Sequence, residues 1–299
     1  MEGFLKHVLV SIHAAIEAGN AILQVYRSSD FRLELKADKS PLTLADRNAH
    51  EIIMQHLSKF DIPVLSEEGK SIPYDKRKSW DPFWMVDPLD GTKEFIKKNG
   101  EFTVNIAQIS NNKPIAGVVL VPDKNILYFA SSKVGSYRAD LSQCGDLLNS
   151  KIGNACRSSN LSGSTAAEIV TELTGHSAKL PAIQSTNRPY TIAGSRSHAT
   201  PELEAFVEEK RGQYGEVEFI SAGSSLKLCL VAEGRADIYP RTGPTMEWDT
   251  AAGQAIVENA GGKVYQYDTT ESLVYNKENL LNPWFVALKL KAESSKLKA

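Results

Sequence analysis

Acidic residues spaced to hold a hard cation stand in three short segments of the chain. In Trp84-Met85-Val86-Asp87-Pro88-Leu89-Asp90-Gly91-Thr92-Lys93-Glu94-Phe95 an apolar stretch leads into two carboxylates three residues apart, with a proline and a glycine that force a turn. Asp87 ends the predicted strand and Asp90 follows in the turn. Such a setting is rigid enough to offer oxygen ligands to a divalent cation that wants octahedral coordination. Taken alone, Pro-Leu-Asp-Gly is equally an ordinary turn. Two further clusters tip the balance: Ser66-Glu67-Glu68-Gly69 closes an upstream strand, and Glu247-Trp248-Asp249-Thr250-Ala251-Ala252-Gly253 puts an acid at the start of an apolar helix. Asp249 by itself reads as a helix cap worth about 1 kcal/mol. Acids at the mouth of a strand or helix in all three places favour a shared metal cup over independent caps.

The elements that must position these acids can be read from periodicity. Leu5, Val8, Leu9, Ile12, Ile16, Gly19, Ile22, Leu23 and Tyr26 recur at three- and four-residue spacing, opposite Lys6, His13, Glu17, Asn20, Gln24 and Arg27, which predicts an amphipathic helix on a core. A second helix is predicted over about 43–59, with Ala45, Ala49, Ile52, Ile53, Leu57 and Phe60 inward and Thr43 capping it three residues before Asp46. A two-residue period then marks strands over 62–66, 83–87, 102–110, 115–121, 126–131 and 135–138, and the short turns between the middle ones predict an antiparallel sheet. Beyond Tyr190 strands and helices alternate, as in an α/β unit. The expected organisation is an α+β domain over 1–140 carrying most of the acids, a polar segment over 141–189 with one short helix at 165–174, and an α/β domain over 190–299.

Composition narrows the function classes. With 34 Lys+Arg against 36 Asp+Glu the net charge is −2, which argues against a binder of nucleic-acid polymers. At 299 residues and 42% hydrophobic content, the chain can bury a sizeable core in one large or two medium domains. Glu2 at the start, and Ser11, His13 and Glu17 within the first apolar stretch, lack the pattern of a secretory signal. The strongly apolar run over 115–121 falls far short of the ~20 residues of a membrane span. A cytoplasmic protein is therefore expected, compatible at most with peripheral attachment at the inner membrane. Cys144, Cys156 and Cys229 are odd in number and widely spaced, as reduced thiols are. The basic end from residue 289 onward reads as a solvated tail. Nothing in the sequence sets the oligomeric state.

Ser66-Glu-Glu68, Asp87-Pro-Leu-Asp-Gly-Thr92 and Trp248-Asp-Thr-Ala-Ala-Gly253, in this order, resemble the signatures of the lithium-sensitive, magnesium-dependent phosphomonoesterase superfamily of inositol monophosphatases, fructose-1,6-bisphosphatases and bisphosphate nucleotidases. The resemblance implies a layered αβαβα sandwich, of mixed α+β and α/β class. It also implies two or three Mg²⁺ ions on Glu67, Asp87, the backbone carbonyl of Leu89, Asp90 and Asp249. Glu67 is preferred to Glu68 because the superfamily's ligand is the first acid of the pair. Within the superfamily, the wording is most similar to the bacterial 3′(2′),5′-bisphosphate nucleotidases, in Val64-Leu-Ser-Glu-Glu68, Asp87-Pro-Leu-Asp-Gly-Thr-Lys-Glu-Phe-Ile96, Asn99-Gly-Glu-Phe-Thr-Val-Asn-Ile-Ala107, Ser195-Arg-Ser-His198, Gly223-Ser-Ser-Leu-Lys227 and Tyr239-Pro-Arg241. These matches fall within 5–138 and 190–287, so the segment between looks like an insertion.

The same resemblance implies that His198, Ser224, Lys227 and Arg241 hold the nucleotide, while Leu89, Asp90, Gly91, Thr92 and Asp249 meet the phosphate. Thr92 would orient the attacking water, with Asp46 as proton acceptor and Glu67 completing the catalytic set. Each has a plain alternative: His198 a loop histidine, Ser224 a helix N-cap, Lys227 a solvated helix residue, Arg241 a turn residue, Asp46 a helix cap. Lys227 and Arg241 supply the positive charge a remote phosphate needs. The N–H groups of Gly91 and Thr92, where a helix should begin, suit the phosphate being hydrolysed. The implied activity is removal of the 3′-phosphate of adenosine 3′,5′-bisphosphate (PAP) to give AMP, with the sulfated precursor PAPS going to APS as a second reaction, in sulfur assimilation. A phosphatase of inositol phosphates or sugar bisphosphates, a non-catalytic nucleotide sensor, and an interaction module built on 141–189 remain alternatives.

Overall fold

The apolar stripe of the first segment folds as α1 (Glu2–Arg27), in which Leu9, Ile12, Ala15 and Ile22 are fully buried. In the computed structural model, residues 2–28, 34–35, 41–145, 147–183, 188–195 and 200–289 are described. After α1 come β1 (Glu34–Leu35), β2 (Pro41–Leu42), α2 (Leu44–Leu57), β3 (Val64–Ser66), α3 (Tyr74–Arg77), β4 (Phe83–Asp90) and α4 (Thr92–Ile96). Next are β5 (Thr103–Ser110), β6 (Lys113–Val121), β7 (Ile126–Ser131), β8 (Gly135–Asp140), α5 (Gly153–Arg157), α6 (Gly163–Gly175) and β9 (Ala178–Lys179). The remainder holds β10 (Tyr190–Gly194), α7 (Pro201–Tyr214), β11 (Val217–Ser221), α8 (Leu226–Glu233), β12 (Ile238–Arg241), α9 (Glu247–Asn259), β13 (Lys263–Gln266) and β14 (Phe285–Leu288).

Two sheets carry the architecture. A seven-stranded sheet runs β3-β4-β5-β6-β7-β8-β9, antiparallel as expected for the strands joined by short turns, with the β3–β4 pair at its edge parallel. A five-stranded sheet runs β11-β10-β12-β14-β13, parallel on both sides of β10 and antiparallel around β14. Because neighbouring residues of a strand face opposite ways, each strand of the larger sheet feeds two cores. Trp84, Val86, Val104, Ile106, Val118, Leu120, Leu127 and Phe129 pack under α1, α2 and α6. Phe83, Met85, Ala107, Ile109, Val119, Val121, Tyr128 and Ala130 pack with α8, α9 and the inner face of the smaller sheet. On that sheet's outer face Ile192, Ile238 and Val286 meet Phe206 of α7. Helices, sheet, helices, sheet and helix thus alternate in five layers, the expected αβαβα sandwich.

The segment 141–189 takes part in the core. It contributes α6, which buries Ala166, Ile169, Val170 and Leu173 beneath α1, and β9, which pairs with the edge of β8. Helix α1 has the length and apolarity of a membrane span, with a mean hydropathy of 1.4 over its most apolar window, so length alone does not exclude one as the sequence suggested. Of that window 72% is buried inside the fold, and packing on β6, α2 and α6 accounts for its apolar character. The close seating of α9 on β6 depends on Gly117, where a Cβ would fall 2.4 Å from the Ala252 carbonyl.

Candidate active site

The strand that carries the paired acids does not stop at Asp87. It continues to Asp90 across a one-residue slip in its pairing with β5, between the Asp87–Asn105 and Asp90–Thr103 pairs. Pro88, which has no N–H to give the ladder, falls inside this bulge. The Asp87 carboxylate accepts the Leu89 N–H at 3.1 Å. The expected turn is therefore a bulged strand, and both acids leave an ordered backbone. Glu67 follows β3, where its N–H bonds the Val86 carbonyl at 3.1 Å and its side chain hydrogen-bonds Asp87. Asp249 lies in the first turn of α9, and its Oδ2 accepts the Met246 N–H at 2.8 Å, so it caps the helix as well. One carboxylate oxygen from each of Asp87, Asp90 and Asp249 lies within 4.8 Å of the other two.

So much like charge out of water is unfavourable without a counter-charge. Asp87 is 1% exposed, and burial, then the charges of Glu67, Asp90 and Asp249, hold its carboxyl well above the usual range. Burial and Asp90 do the same to Asp249. The donor set is all oxygen, with neither nitrogen nor sulfur, so these residues fit a hard divalent cation, whose charge would relieve the repulsion.

Asp46 is both a cap and a neighbour of the cup. Its Oδ2 accepts the Thr43 N–H at 2.7 Å and the Thr43 hydroxyl at 2.6 Å, closing a capping box on α2. The other oxygen, Oδ1, lies 3.5 Å from Thr92 Oγ1, which stands equally 3.5 Å from the Leu89 carbonyl. Thr92 begins α4, and Gly91 before it has φ +90°, a conformation that glycine adopts freely. The Leu89 side chain is core, 2% exposed, so its carbonyl is the atom available to a ligand.

A cleft of about 160 Å³ opens beside the acids, lined by Asp90, Gly91, Ser224, Lys227, Arg241 and Asp249, with Ser195 and Tyr239. Six of the predicted site residues meet here. His198 lies outside the described residues. Lys227 is not a solvated helix residue: it is 5% exposed, donates to the carbonyls of Ala222 at 3.2 Å and Ser224 at 2.7 Å, and sits 5.5 Å from the Tyr239 ring centroid. Burial lowers its pKa to about 8. Ser224 is not the cap of α8, since Ser225 holds that position; Ser224 has φ +46° and a buried hydroxyl with no partner among the described residues. Arg241 ends β12 and donates to the carbonyls of Gly243 at 3.2 Å and Pro244 at 2.9 Å, with its side chain part-buried in the turn.

Sequence reasoning missed the residues that hold these in place. Ser225 bonds Asp90, Asn105 bonds Ser225 at 2.9 Å, and Glu101 accepts the Gly223 N–H at 2.9 Å. Glu247, grouped with Asp249 by sequence, is fully buried and instead accepts the N–H groups of Asn276 at 2.6 Å and Lys277 at 3.0 Å.

Across residues 5–293 the sequence matches the inositol monophosphatase family. The chain belongs to this family. Among characterised relatives, the 3′(2′),5′-bisphosphate nucleotidase CysQ of Escherichia coli strain K12 is 41% identical over 274 residues, spanning 91% of this chain and 95% of its own length. The crystal structure of CysQ from Bacteroides thetaiotaomicron, itself a bacterial member of this family, superposes with a TM-score of 0.81 at 46% identity, covering 95% of this chain and 97% of its own. A more distant family fold, the suhB protein of Bartonella henselae, superposes with a TM-score of 0.65 at 24% identity over 94% of this chain and 92% of its own.

Proposed function

We propose that this protein is a Mg²⁺-dependent 3′(2′),5′-bisphosphate nucleotidase that removes the 3′-phosphate of PAP to give AMP and phosphate. The observation that carries the reading is the joining, in one cleft, of an oxygen-only acid cluster to the buried Lys227 and the part-buried Arg241. One end suits the phosphate to be cleaved and the other a phosphate that stays. Similarity to CysQ at 41–46% identity over nearly the whole chain supports the nucleotide as substrate.

Glu67, Asp87, Asp90, Asp249 and the Leu89 carbonyl would hold the ions. When bound, Mg²⁺ supplies charge to polarise the phosphoryl group, to lower the pKa of water and to stabilise the leaving oxygen. The protein's own groups do the rest. The N–H groups of Gly91 and Thr92 bind the phosphate oxygens, and because α4 is only five residues long this rests on direct hydrogen bonds more than on a helix dipole. Thr92 Oγ1 orients the incoming water, and Asp46 Oδ1, 3.5 Å away, takes the proton while Oδ2 stays committed to Thr43. Ser224, Lys227 and Arg241 hold the remote phosphate and ribose, with His198 as a further contact. The basic and acidic groups gathered in this one cleft suit a small polyanion. PAPS fits the same reading as a second substrate, and lithium inhibition is expected from the same metal cup. Three free, buried cysteines suit the reducing cytoplasm. Residues 1–140 and 190–299 are read as two domains that share the cleft.

A phosphate-release panel tests the assignment. Purified protein with Mg²⁺ should hydrolyse PAP far faster than inositol monophosphate or fructose 1,6-bisphosphate, and removing Mg²⁺ should abolish turnover. Equal rates on all three substrates would overturn the substrate assignment. Asp90→Asn should fold normally and lose most activity; near wild-type turnover in that variant would refute the metal cup.

A further inference from the structure

Outside the cleft, one cluster of ligating side chains has no part in this chemistry. His13 and Glu17 stand one turn apart on α1, and His56 lies in the last turn of α2. Both imidazoles turn Nε2 to the same carboxylate: His13 Nε2 is 3.2 Å from Glu17 Oε1, and His56 Nε2 is 2.6 Å from Oε2. The three ligand atoms lie within 4.8 Å of one another. The two rings meet edge to face, with centroids 4.8 Å apart. His13 and His56 are 5% and 6% exposed, whereas the Glu17 side chain is 39% exposed. The cluster is therefore closed on the imidazole side and open to solvent on the carboxylate side. Both Nδ1 atoms are buried without a partner among the described residues, so each ring meets a polar group only through Nε2.

We propose that His13, Glu17 and His56 form a second metal site, for a borderline divalent cation of the Zn²⁺ class, which staples α1 to the end of α2. Two imidazole nitrogens and one carboxylate oxygen make a donor set that zinc accepts, completed by solvent at the open position. Mg²⁺, which takes oxygen ligands in octahedral geometry, does not suit it. The ligands sit on helices, which hold their separation better than loops do, and His13 and Glu17 share a helix face by their i, i+4 spacing. His56 is ten residues beyond Asp46 on α2, about 15 Å along the helix axis, so the site is separate from the acid cup. Two cationic groups flank it and moderate its affinity. Arg157 Nη1 lies 3.9 Å from Glu17 Oε1 on a side chain 58% exposed, and the Lys59 ammonium is held 2.9 Å from the Cys156 carbonyl. A bound cation must displace the first from the carboxylate. Without metal, each Nε2–H donates to the Glu17 carboxylate; a cation takes the Nε2 lone pair, the ring proton moving to Nδ1, and that change at both ring nitrogens is what the experiment reads.

Full-length protein stripped with chelator and then saturated with Mg²⁺ is titrated with ZnCl₂, while long-range ¹H–¹⁵N spectra track the rings of its six histidines. The first equivalent should move the Nε2 resonances of two rings, those absent from the His13→Gln and His56→Gln spectra, and should raise Tm. Glu17→Gln should weaken zinc binding by at least about tenfold, the scale seen when even outer partners of a metal are removed. If the glutamine variants do not fold, backbone-linked assignment of the wild type identifies the rings. Zinc that leaves both rings unmoved at several equivalents, or moves only other histidines, overturns the proposal. Because the readout is the imidazole itself, it is independent of phosphatase activity and of the substrate reading.

Discussion

Ser225 is bonded twice to one oxygen of Asp90, its N–H at 2.6 Å and its Oγ at 2.7 Å from Oδ2. The same hydroxyl stands 2.6 Å from the backbone carbonyl of Asp249 and receives the Asn105 side-chain amide at 2.9 Å. One hydroxyl proton thus faces two acceptors, while the backbone N–H serves Asp90 throughout. A serine at the start of α8 therefore fixes the acid on β4 against the acid on α9. If Asp90 ligates a metal as proposed, Ser225 sets its orientation, and groups that hold a ligand in this way typically contribute 10–100-fold in affinity or activity.

Ser225→Ala should keep the backbone bond and lose the hydroxyl. The expected result is a rise of roughly 10–100-fold in the Mg²⁺ concentration needed for half-maximal phosphate release, with the circular dichroism spectrum unchanged. An unaltered Mg²⁺ dependence would show that the N–H alone positions Asp90.

Lys227 predicts a pH dependence. Burial lowers its pKa from 10.5 to about 8, so its charge is lost well below the range of a free lysine. Since kcat/KM reports groups of the free enzyme, kcat/KM for the bisphosphate should fall as pH rises through about 8. Stability moves the other way. Between the folded value near 8 and the ordinary 10.5 the unfolded chain binds more protons, so ΔG of unfolding should gain from this residue as pH rises across that window. In Lys227→Met both trends should vanish, as rate profiles and urea titrations at pH 7 and 9.5 can check.

Gly223, just before Ser224 and Ser225, packs tightly against Glu94 of α4 and Glu101, which precedes β5. A Cβ there would lie 2.6 Å from Glu94 Cγ and 2.7 Å from the Glu101 carbonyl. The side chain can swing but the backbone carbonyl cannot, so Gly223→Ala must push the loop outward and stretch the Gly223–Glu101 bond. Overpacking of this kind costs about 1–3 kcal/mol. The variant should lose that much in urea titration and show a raised KM, because Ser224 and Lys227 move with the loop. A KM equal to wild type would mean that the strain is absorbed elsewhere.

Asp87, Asp90 and Asp249 are legible in the sequence because type, spacing and local element coincide: acids three apart beside Pro88 and Gly91, and an acid at a helix start. Five layers could be expected from resemblance, and most strands and helices from their period. Ser225 could not be chosen over Ser224, because two adjacent hydroxyls look alike until one meets Asp90, 135 residues away in sequence. The burial of Lys227 on α8 involves Tyr239 of β12, whose ring centroid lies 5.5 Å from its ammonium, a neighbour that no local pattern names. The true end of β4 depends on its slipped register with β5, which no local pattern encodes, so Pro88 read as a turn. A short helix over 165–174 was legible in the sequence, but the burial of Ala166, Ile169, Val170 and Leu173 beneath α1 was not.

The acid cup also predicts a conflict between stability and function. Burial and neighbouring charge raise the carboxyls of Asp87 and Asp249 above the ordinary range, so between that range and the raised values the folded chain binds more protons than the unfolded one. Metal-free protein should therefore lose stability as pH rises through that interval. Asp249→Asn removes one charge from the cluster and leaves an amide oxygen able to accept the Met246 N–H. Metal-free Asp249→Asn should be as stable as wild type at pH 5 and more stable at pH 8, by roughly 1 kcal/mol, while losing most phosphatase activity. Mg²⁺ should then raise the Tm of the wild type by more than that of the variant. Thermal melts of both proteins at the two pH values, with chelator and with excess Mg²⁺, decide it; a variant less stable than wild type at pH 8 without metal would mean that capping of α9 outweighs repulsion in the cup.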